Sequence, residues 1–319
     1  MYLALDVGGS SIKYALLDEQ YHLVNKGTTP SRFSSPTDFA QGIRRIYDET
    51  GCQAQGVAIS YCGELDPCDG YAYSGGSLPY NTGVRLRTLL QEYLPVPVSI
   101  ENDGNCAAMA EMHSGCLKDV RNGATFILGT GIAAALMIDG KIYRGSHFSA
   151  GFASAIITDL RQHINHGETF SNFLCGINST DYQPGNLLSM GIGYLGLTAP
   201  LAYAKGLGQH DLDGKAFFHM LEEGDQDADV ILNNFCRILA NFVFNIQCLL
   251  DVDVVAIGGG ISQNSELIRR TQRELDNCYG ILQRMGLITH PPRLCRCHHG
   301  TDANLIGALY HYLQKEEHK

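Results

Sequence analysis

With 319 residues, 45% of them hydrophobic and 18% charged, the chain is long enough for two domains with ordinary cores and too apolar to be disordered. Its formal net charge is -10 and no block of Lys and Arg stands out, which excludes a nucleic-acid surface built on clustered positive charge. The eleven cysteines are scattered and odd in number, so they read as reduced cytoplasmic thiols rather than a disulfide framework.

From the N-terminus, Tyr2-Leu3-Ala4 runs straight into an apolar stretch with no basic lead, so no secretory signal is expected. Residues 2–7 and 12–17 are apolar runs flanking Gly8-Gly9-Ser10-Ser11, a strand–turn–strand signal. A helix is expected over Pro36–Thr50, capped by Ser35 and ended by Gly51. Gly56–Ser60 reads as a buried strand, followed by a loop rich in Gly, Pro and Asp through Asn81. Leu86–Tyr93 predicts a short helix, Val96–Ile100 a strand, and Asn105–His113 a further helix.

A second hairpin begins near Thr125, with the turn Gly129-Thr130-Gly131 and an apolar strand to Ile138. Its glycines and threonines make the apolar run from Ala124 to Ile138 unfit to span a membrane. Two such hairpins at the heads of two α/β halves predict an internally duplicated fold. Ala228–Leu250 predicts one long amphipathic helix. Val252–Ile257 is a strand leading into Gly258-Gly259-Gly260, and helices are expected over Ser265–Tyr279 and Thr301–Gln314. Strands alternating with helices imply sheets covered on both faces.

Three glycine turns after three apolar strands point to phosphate binding. Glycines let the backbone approach a phosphate without an intervening Cβ, and successive N–H groups there form an anion nest. Asp6, at the end of the first strand, is placed to hold Mg²⁺ through water. The alternative is a hairpin with an ordinary glycine turn. None of the turns has the P-loop pattern and Gly258-Gly259-Gly260 lacks the Rossmann spacing, which disfavours a dinucleotide dehydrogenase. Glu101-Asn102-Asp103-Gly104-Asn105 follows a strand and opens a helix, at the edge where open α/β sheets bind ligands. Asp103 there reads either as a general base for phosphoryl transfer or as a helix cap, and Asn102 as a group that holds a substrate hydroxyl.

Taken in order, Asp6-Val7-Gly8-Gly9, Glu101 through Ala108, Leu128-Gly129-Thr130-Gly131 and Gly258-Gly259-Gly260 resemble the ROK family of sugar kinases. Gly63 through Asp66, Ser77-Leu78-Pro79-Tyr80-Asn81 and Asp302 through Ala308 add to that resemblance, which spans nearly the whole chain. It implies a two-domain α/β fold of the actin-like (ribonuclease H-like) class with an interdomain nucleotide cleft. The N-terminal domain, 1–115, would form the sugar side, with 301–319 packing back on it, and 116–300 the nucleotide side. It also implies ATP and Mg²⁺ as cofactors and transfer of the γ-phosphate to a sugar hydroxyl. By this resemblance Asp103 is the catalytic base, and Asn102, Asn81, Ser77 and Gly63 contact the sugar. The nucleotide falls to Asp6, Gly8, Gly9, Ser10, Lys13, Gly129, Thr130, Gly131, Gly258, Gly259 and Gly260. The expected partners are a small-molecule sugar and a second copy in a homodimer, with no nucleic acid and no membrane.

Two departures from the family pattern bear on function. Where relatives continue with Ala-Gly-Glu and a following His, this chain has Ala150-Gly151-Phe152 and then Ala155. Phe cannot accept a hydrogen bond from a hydroxyl, and loss of one charged hydrogen bond weakens sugar binding by roughly 1.5–3 kcal/mol. The zinc loop of many relatives is reduced here to Cys175 in Phe173-Leu174-Cys175-Gly176, too few thiols for a four-coordinate site, so a zinc-free member resembling β-glucoside kinase-like proteins is expected. Cys295-Arg296-Cys297-His298-His299 reads as a strand end before it reads as a metal site, since so short a cluster is weak evidence for one. The expected activity is an ATP-dependent sugar kinase. The alternatives are a non-catalytic sugar- or nucleotide-binding relative with a degraded pocket, and a sugar-responsive transcription factor. The last is disfavoured because the sequence opens directly on the first hairpin.

Overall fold

The computed structural model describes residues 1–51, 54–129, 131–156, 195–208, 211–287 and 290–317. These fall into two compact units, one formed by Met1–Asp119, Ala135–Ala150 and His298–Lys319, the other by Val120–Ala134 and Gly151–Cys297.

In the first unit, β1 (Tyr2–Val7), β2 (Ser11–Leu17), β3 (Leu23–Pro30), β4 (Val57–Tyr61) and β7 (Val98–Asn102) form one sheet in the order β3-β2-β1-β4-β7. β1 pairs antiparallel with β2 and parallel with β4, and β4 is parallel to β7. Alternation along these strands sorts the side chains. Leu3, Leu5, Val7, Val57, Ile59, Val98 and Ile100 enter one core with α1 (Pro36–Glu49) and α2 (Leu86–Tyr93). Against the sheet also pack α3 (Asp103–Ser114) and α8 (Ala303–Glu317), the last in contact with β1, β4 and β7. The small hairpin β5 (Glu64–Leu65) with β6 (Ala72–Ser74), and a 3-10 turn at Pro79–Asn81, occupy the stretch read from sequence as loop.

A second five-stranded sheet has the order β10-β9-β8-β11-β12, made of β8 (Gly123–Leu128), β9 (Ile132–Ile138), β10 (Lys141–Tyr143), β11 (Val254–Gly258) and β12 (Arg293–Arg296). Hairpin, parallel neighbour and outer parallel strand recur in the same spatial order as in the first sheet. Ala133, Ala134 and Ala135 lie in plain strand and none has a positive φ, so alanine fits there without strain.

Helices of the second unit are α4 (Leu195–Ala204), α5 (Gly214–Glu222), α6 (Gln226–Leu250) and α7 (Ser265–Arg284). α6 is the long amphipathic helix expected from sequence. Asp225 caps it by accepting from the Ala228 N–H at 3.0 Å, and Leu232, Phe235, Leu239, Phe242 and Val243 form its buried stripe. It ends at Asp251, whose left-handed φ of 49° turns the chain towards β11. Among the described residues no helix is long and apolar enough to cross a membrane.

The cap of α1 is the one anticipated. The Ser35 side chain accepts from the Asp38 N–H at 3.1 Å, and Pro36 fills the first helical turn. Ser35→Ala is expected to lower the unfolding free energy by about 1 kcal/mol, read from urea denaturation, with no change in the slope of the transition.

Candidate active site

The register of the first sheet places Asp6 opposite Ser60, and Ser60 opposite Glu101. Directly opposed residues share a face, so three polar side chains line up at the carboxyl ends of three parallel strands. Across the hairpin Asp6 faces Lys13, whose Nζ lies 3.6 Å from Asp6 Oδ2. Asp6 Oδ1 accepts from Asn304 Nδ2 at 2.9 Å and from the Ser60 hydroxyl at 3.4 Å. The carboxylate is therefore fixed in direction by β4 and by the start of α8.

The turn after β1 is tight because Gly8 N–H donates to the Ser11 carbonyl at 3.1 Å. A Cβ on Gly9 would stand 2.4 Å from the Ser77 Cβ, so only glycine lets the hairpin and the 77–81 loop pass each other. Gly9, Ser10, Lys13 and Ser77 are all exposed. Asn81 is fully buried, donates to the Tyr61 hydroxyl at 3.1 Å, and leaves its Oδ1 without a partner among the described residues.

Asp103 is the first residue of α3, and the cap is Asn102, whose Oδ1 accepts from the Asn105 N–H at 3.2 Å. Asn102 Nδ2 donates both to the Gly63 carbonyl and to Asp103 Oδ1, each at 3.1 Å. Gly104 N–H holds the same Asp103 oxygen at 2.8 Å, while Oδ2 has no hydrogen-bond partner among the described residues. Burial and the nearby Asp6 charge outweigh the Gly104 and Asn102 bonds and push the Asp103 carboxyl up to about 6. The result is one pinned oxygen, one open oxygen and a proton affinity close to neutral pH.

Behind this pair lies a group that pattern reading passed over. Glu101 is 1% exposed, and its Oε1 accepts from the Asn102 N–H at 2.9 Å and from Asn105 Nδ2 at 3.0 Å. Its Oε2 accepts from Arg144 Nε at 3.0 Å and Nη2 at 2.6 Å. Burial opposes ionisation of Glu101, but the charge of His311, where that ring is protonated, and the charge and hydrogen bonds of Arg144 with the Asn105 bond hold its carboxyl below the ordinary value. His311 Nδ1 lies 3.7 Å away, and burial brings this imidazole down to about 4, so it is neutral near pH 7. The sequence signal for Glu101 was its place in the strand-end motif; Arg144, 43 residues away, carried none.

In the second unit, Gly258 pairs with Ile127, so the turns at Gly129–Gly131 and Gly258–Gly260 follow adjacent parallel strands. Gly129 N–H donates to the Gly131 carbonyl at 2.9 Å. Gly259 has φ 92°, and a Cβ there would meet the Leu128 carbonyl oxygen at 2.1 Å. Gly129 and Gly260 border open space. Thr130 and Cys175 lie outside the described residues. Phe152 is 70% exposed, immediately before a 3-10 turn at Ala153–Ala155. His298 and His299 N–H groups donate to Glu111 Oε1, and His299 Nε2 lies 3.1 Å from the Ser114 hydroxyl. Among the described residues no three His, Cys, Asp or Glu side chains form a metal cluster. A lone carboxylate with hard oxygens, such as Asp6, suits a water-mediated contact to Mg²⁺ better than a dedicated cage.

Residues 2–171 and 189–315 match a family model described as the ROK family. The chain is 24% identical over 312 residues to a β-glucoside kinase of Klebsiella pneumoniae, covering 98% of this chain and 95% of that protein. A crystal structure of a ROK family protein from Streptococcus pneumoniae TIGR4 in complex with sucrose superposes with a TM-score of 0.82 at 24% identity, covering 100% of this chain and 99% of that one. A ROK family glucokinase from Streptomyces griseus, in complex with glucose and AMPPNP, gives a TM-score of 0.72 at 18% identity over 96% and 97% of the two chains. The fold is thus the two-domain actin-like α/β class that the motifs implied.

Arg144→Met leaves Glu101 buried without its main counter-charge. At pH 7.5 the unfolding free energy is expected to fall by about 3–5 kcal/mol, measured by denaturant titration. A carboxyl held low in the folded state supplies stability above its unfolded pKa of 4.5 and loses it as pH falls through the lower folded value. In the variant, burial without Arg144 raises the carboxyl instead, so its deficit should shrink as pH falls towards 4.5 and Glu101 is discharged by protonation. An equal deficit at both pH values would assign the loss to packing instead.

Proposed function

We propose that this protein, which belongs to the ROK family, transfers the γ-phosphoryl group of ATP to a hydroxyl of a sugar or glycoside, with Asp103 as the general base. The observation that carries the reading is the state of Asp103. Gly104 and Asn102 fix one oxygen, the other is open, and its proton affinity is raised to about 6. A base of that strength is ionised at neutral pH and accepts a proton more readily than an ordinary carboxylate.

Phosphoryl transfer asks mainly for positioning and charge stabilisation, with a base to take the acceptor proton. On this reading Asn102 acts chiefly as a positioning residue, since both ends of its amide are engaged within the protein. Gly63 supports it through its carbonyl, and Ser77 and Asn81 border the hydroxyl-binding side. Lys13, Ser10 and the N–H groups at Gly8 and Gly9 face the phosphates. Gly129, Thr130, Gly131 and Gly258–Gly260 are assigned to the nucleotide. Asp6 would hold Mg²⁺ through water, and that ion supplies charge neutralisation at the phosphates. The sucrose and glucose bound to the two structural relatives, and the kinase named in Klebsiella, support a carbohydrate acceptor.

Phe152 favours a substituted acceptor over a plain hexose, because an apolar ring stands where relatives place a hydroxyl-binding glutamate. Mg-ATP with a panel of free hexoses, amino sugars and β-glucosides should give sugar-stimulated ADP release with at least one class. No release across the panel would leave the non-catalytic binding reading. Phe152→Glu is expected to lower KM for unmodified hexoses by about tenfold, the equivalent of one charged hydrogen bond.

Asp103→Asn should reduce kcat by about 10²–10⁴-fold. Its melting temperature at pH 7.5 should match or exceed that of the parent, because above pH 6 the buried, ionised Asp103 opposes folding. In the parent, kcat/KM should fall as pH drops through about 6, where Asp103 takes up a proton. An acid limb below pH 5, or turnover retained in Asp103→Asn, would remove Asp103 from the role of base.

A further inference from the structure

At the outer edge of the first sheet, between α2 and α8, lies a cavity of about 550 Å³ lined by Arg87, Thr88, Gln91, Ser99, Tyr312 and Lys315. It is separate from the site at Asp103. Ser99 lies near the start of β7 and Asp103 just beyond its end, about 10–13 Å along the chain at the rise of a strand.

Three observations give this cavity a chemistry. First, it gathers two cations with no acidic partner at ion-pair distance among the described residues. Arg87 forms no hydrogen bond or ion pair among the described residues, and the Lys315 ammonium donates only to the Pro67 carbonyl. Burial, and then the like charge of Arg87, hold the Lys315 ammonium below its ordinary value against the weaker pull of Cys68 and Glu101, and no described carboxylate stands at ion-pair distance from either cation. The Glu92 carboxylate also borders the cavity, on its exposed side, without reaching either cation at ion-pair distance. Second, Ser99 is 4% exposed and its hydroxyl has no partner among the described residues. A buried hydroxyl left unpaired is costly unless something fills its hydrogen bond. Third, Gln91 Nε2 is committed to the Leu94 and Val96 carbonyls at 3.2 and 2.9 Å, which leaves its amide oxygen to accept from a ligand hydroxyl.

A guanidinium fork, a compact ammonium and a buried hydroxyl donor match the oxygens of a dianion. The volume falls in the range of small-molecule pockets, roughly 300–1,000 Å³, and far exceeds what a bare ion fills. The Gln91 oxygen and the Tyr312 wall suit a short hydroxylated carbon chain. We propose that this cavity is a second ligand site and binds a small organic phosphate monoester.

Titration calorimetry on the full chain tests this with glycerol 3-phosphate, ribose 5-phosphate, glucose 6-phosphate, inorganic phosphate and glucose as probes. At least one ester should bind one-to-one with Kd below about 1 mM. Arg87→Gln and Lys315→Gln should each weaken that binding about tenfold or more, and Ser99→Ala about threefold, with kcat on the sugar acceptor unchanged. The two charge variants act from different helices, so either alone suffices if the other fails to fold. The proposal is overturned if no ester binds at millimolar concentration, or if inorganic phosphate binds as tightly as the esters. It also fails if binding survives both Arg87→Gln and Lys315→Gln but is lost in Lys13→Gln, which would place the ester at the other site.

Discussion

A single buried carboxylate orders the strand-end site. Glu101 lies in the interior with Arg144 on one oxygen and the Asn102 N–H and Asn105 amide on the other. An ionised carboxylate in such a place is tolerable only when every lone pair is used. That requirement fixes the angle at which β7 passes into α3. Asn102 can then cap the helix with one end of its amide and steer Asp103 with the other. It also ties the segment carrying Arg144, more than forty residues later, to the motif. The charge at Glu101 does not touch a substrate in this arrangement; it sets where the groups that would do so must stand.

The same geometry explains why the polar residues collect where they do. In each sheet a hairpin is followed by a parallel strand and then an outer parallel strand, in one repeated order. Parallel strands all end at the same edge, so the turns that follow them gather there. In the first sheet this edge holds Asp6, Ser60, Glu101 and the start of α3; in the second it holds the glycine turns at 129–131 and 258–260. Repetition of topology, rather than of side chains, relates the halves, and this is why so little sequence identity survives between them. The glycines are kept for local reasons: Ser77 crowds Gly9 and the Leu128 carbonyl crowds Gly259.

Much of this was readable from sequence because period and punctuation agreed. The stripe of α6, the Ser35 cap, the strands over 2–7 and the turn after Leu128 all follow from hydrophobic spacing and glycine placement. β3 escaped because it is an edge strand with Asn25, Lys26 and Gly27 in its middle, and only its alternate residues are partly covered. The hairpin of β5 and β6 escaped because its strands are too short to show a period. At the site, sequence named Asp6, Asn102 and Asp103, and left Asp103 readable on its own residues as either a base or a helix cap. The structure gives the cap to Asn102, one residue earlier, and that shift frees Asp103. Arg144, His311 and Asn304 were out of reach, since each acts by a tertiary contact to a residue at least 43 positions away.

The position of Asp103 carries an opposition that a structural cap would not need. Desolvation and the charge of Asp6 both disfavour its ionised form, whereas Gly104 and Asn102 each favour it through the same oxygen. A carboxylate whose only task was to cap a helix would need no acidic neighbour, and Asp225 at the start of α6 is instead paired with the Lys205 ammonium at 2.7 Å. Holding an acid near its midpoint beside another acid lowers stability, and such arrangements cluster where proton transfer is useful. The open oxygen of Asp103 follows from the bonds of Gly104 and Asn102 to its partner oxygen, its raised proton affinity from burial beside Asp6, and the two meet in one side chain.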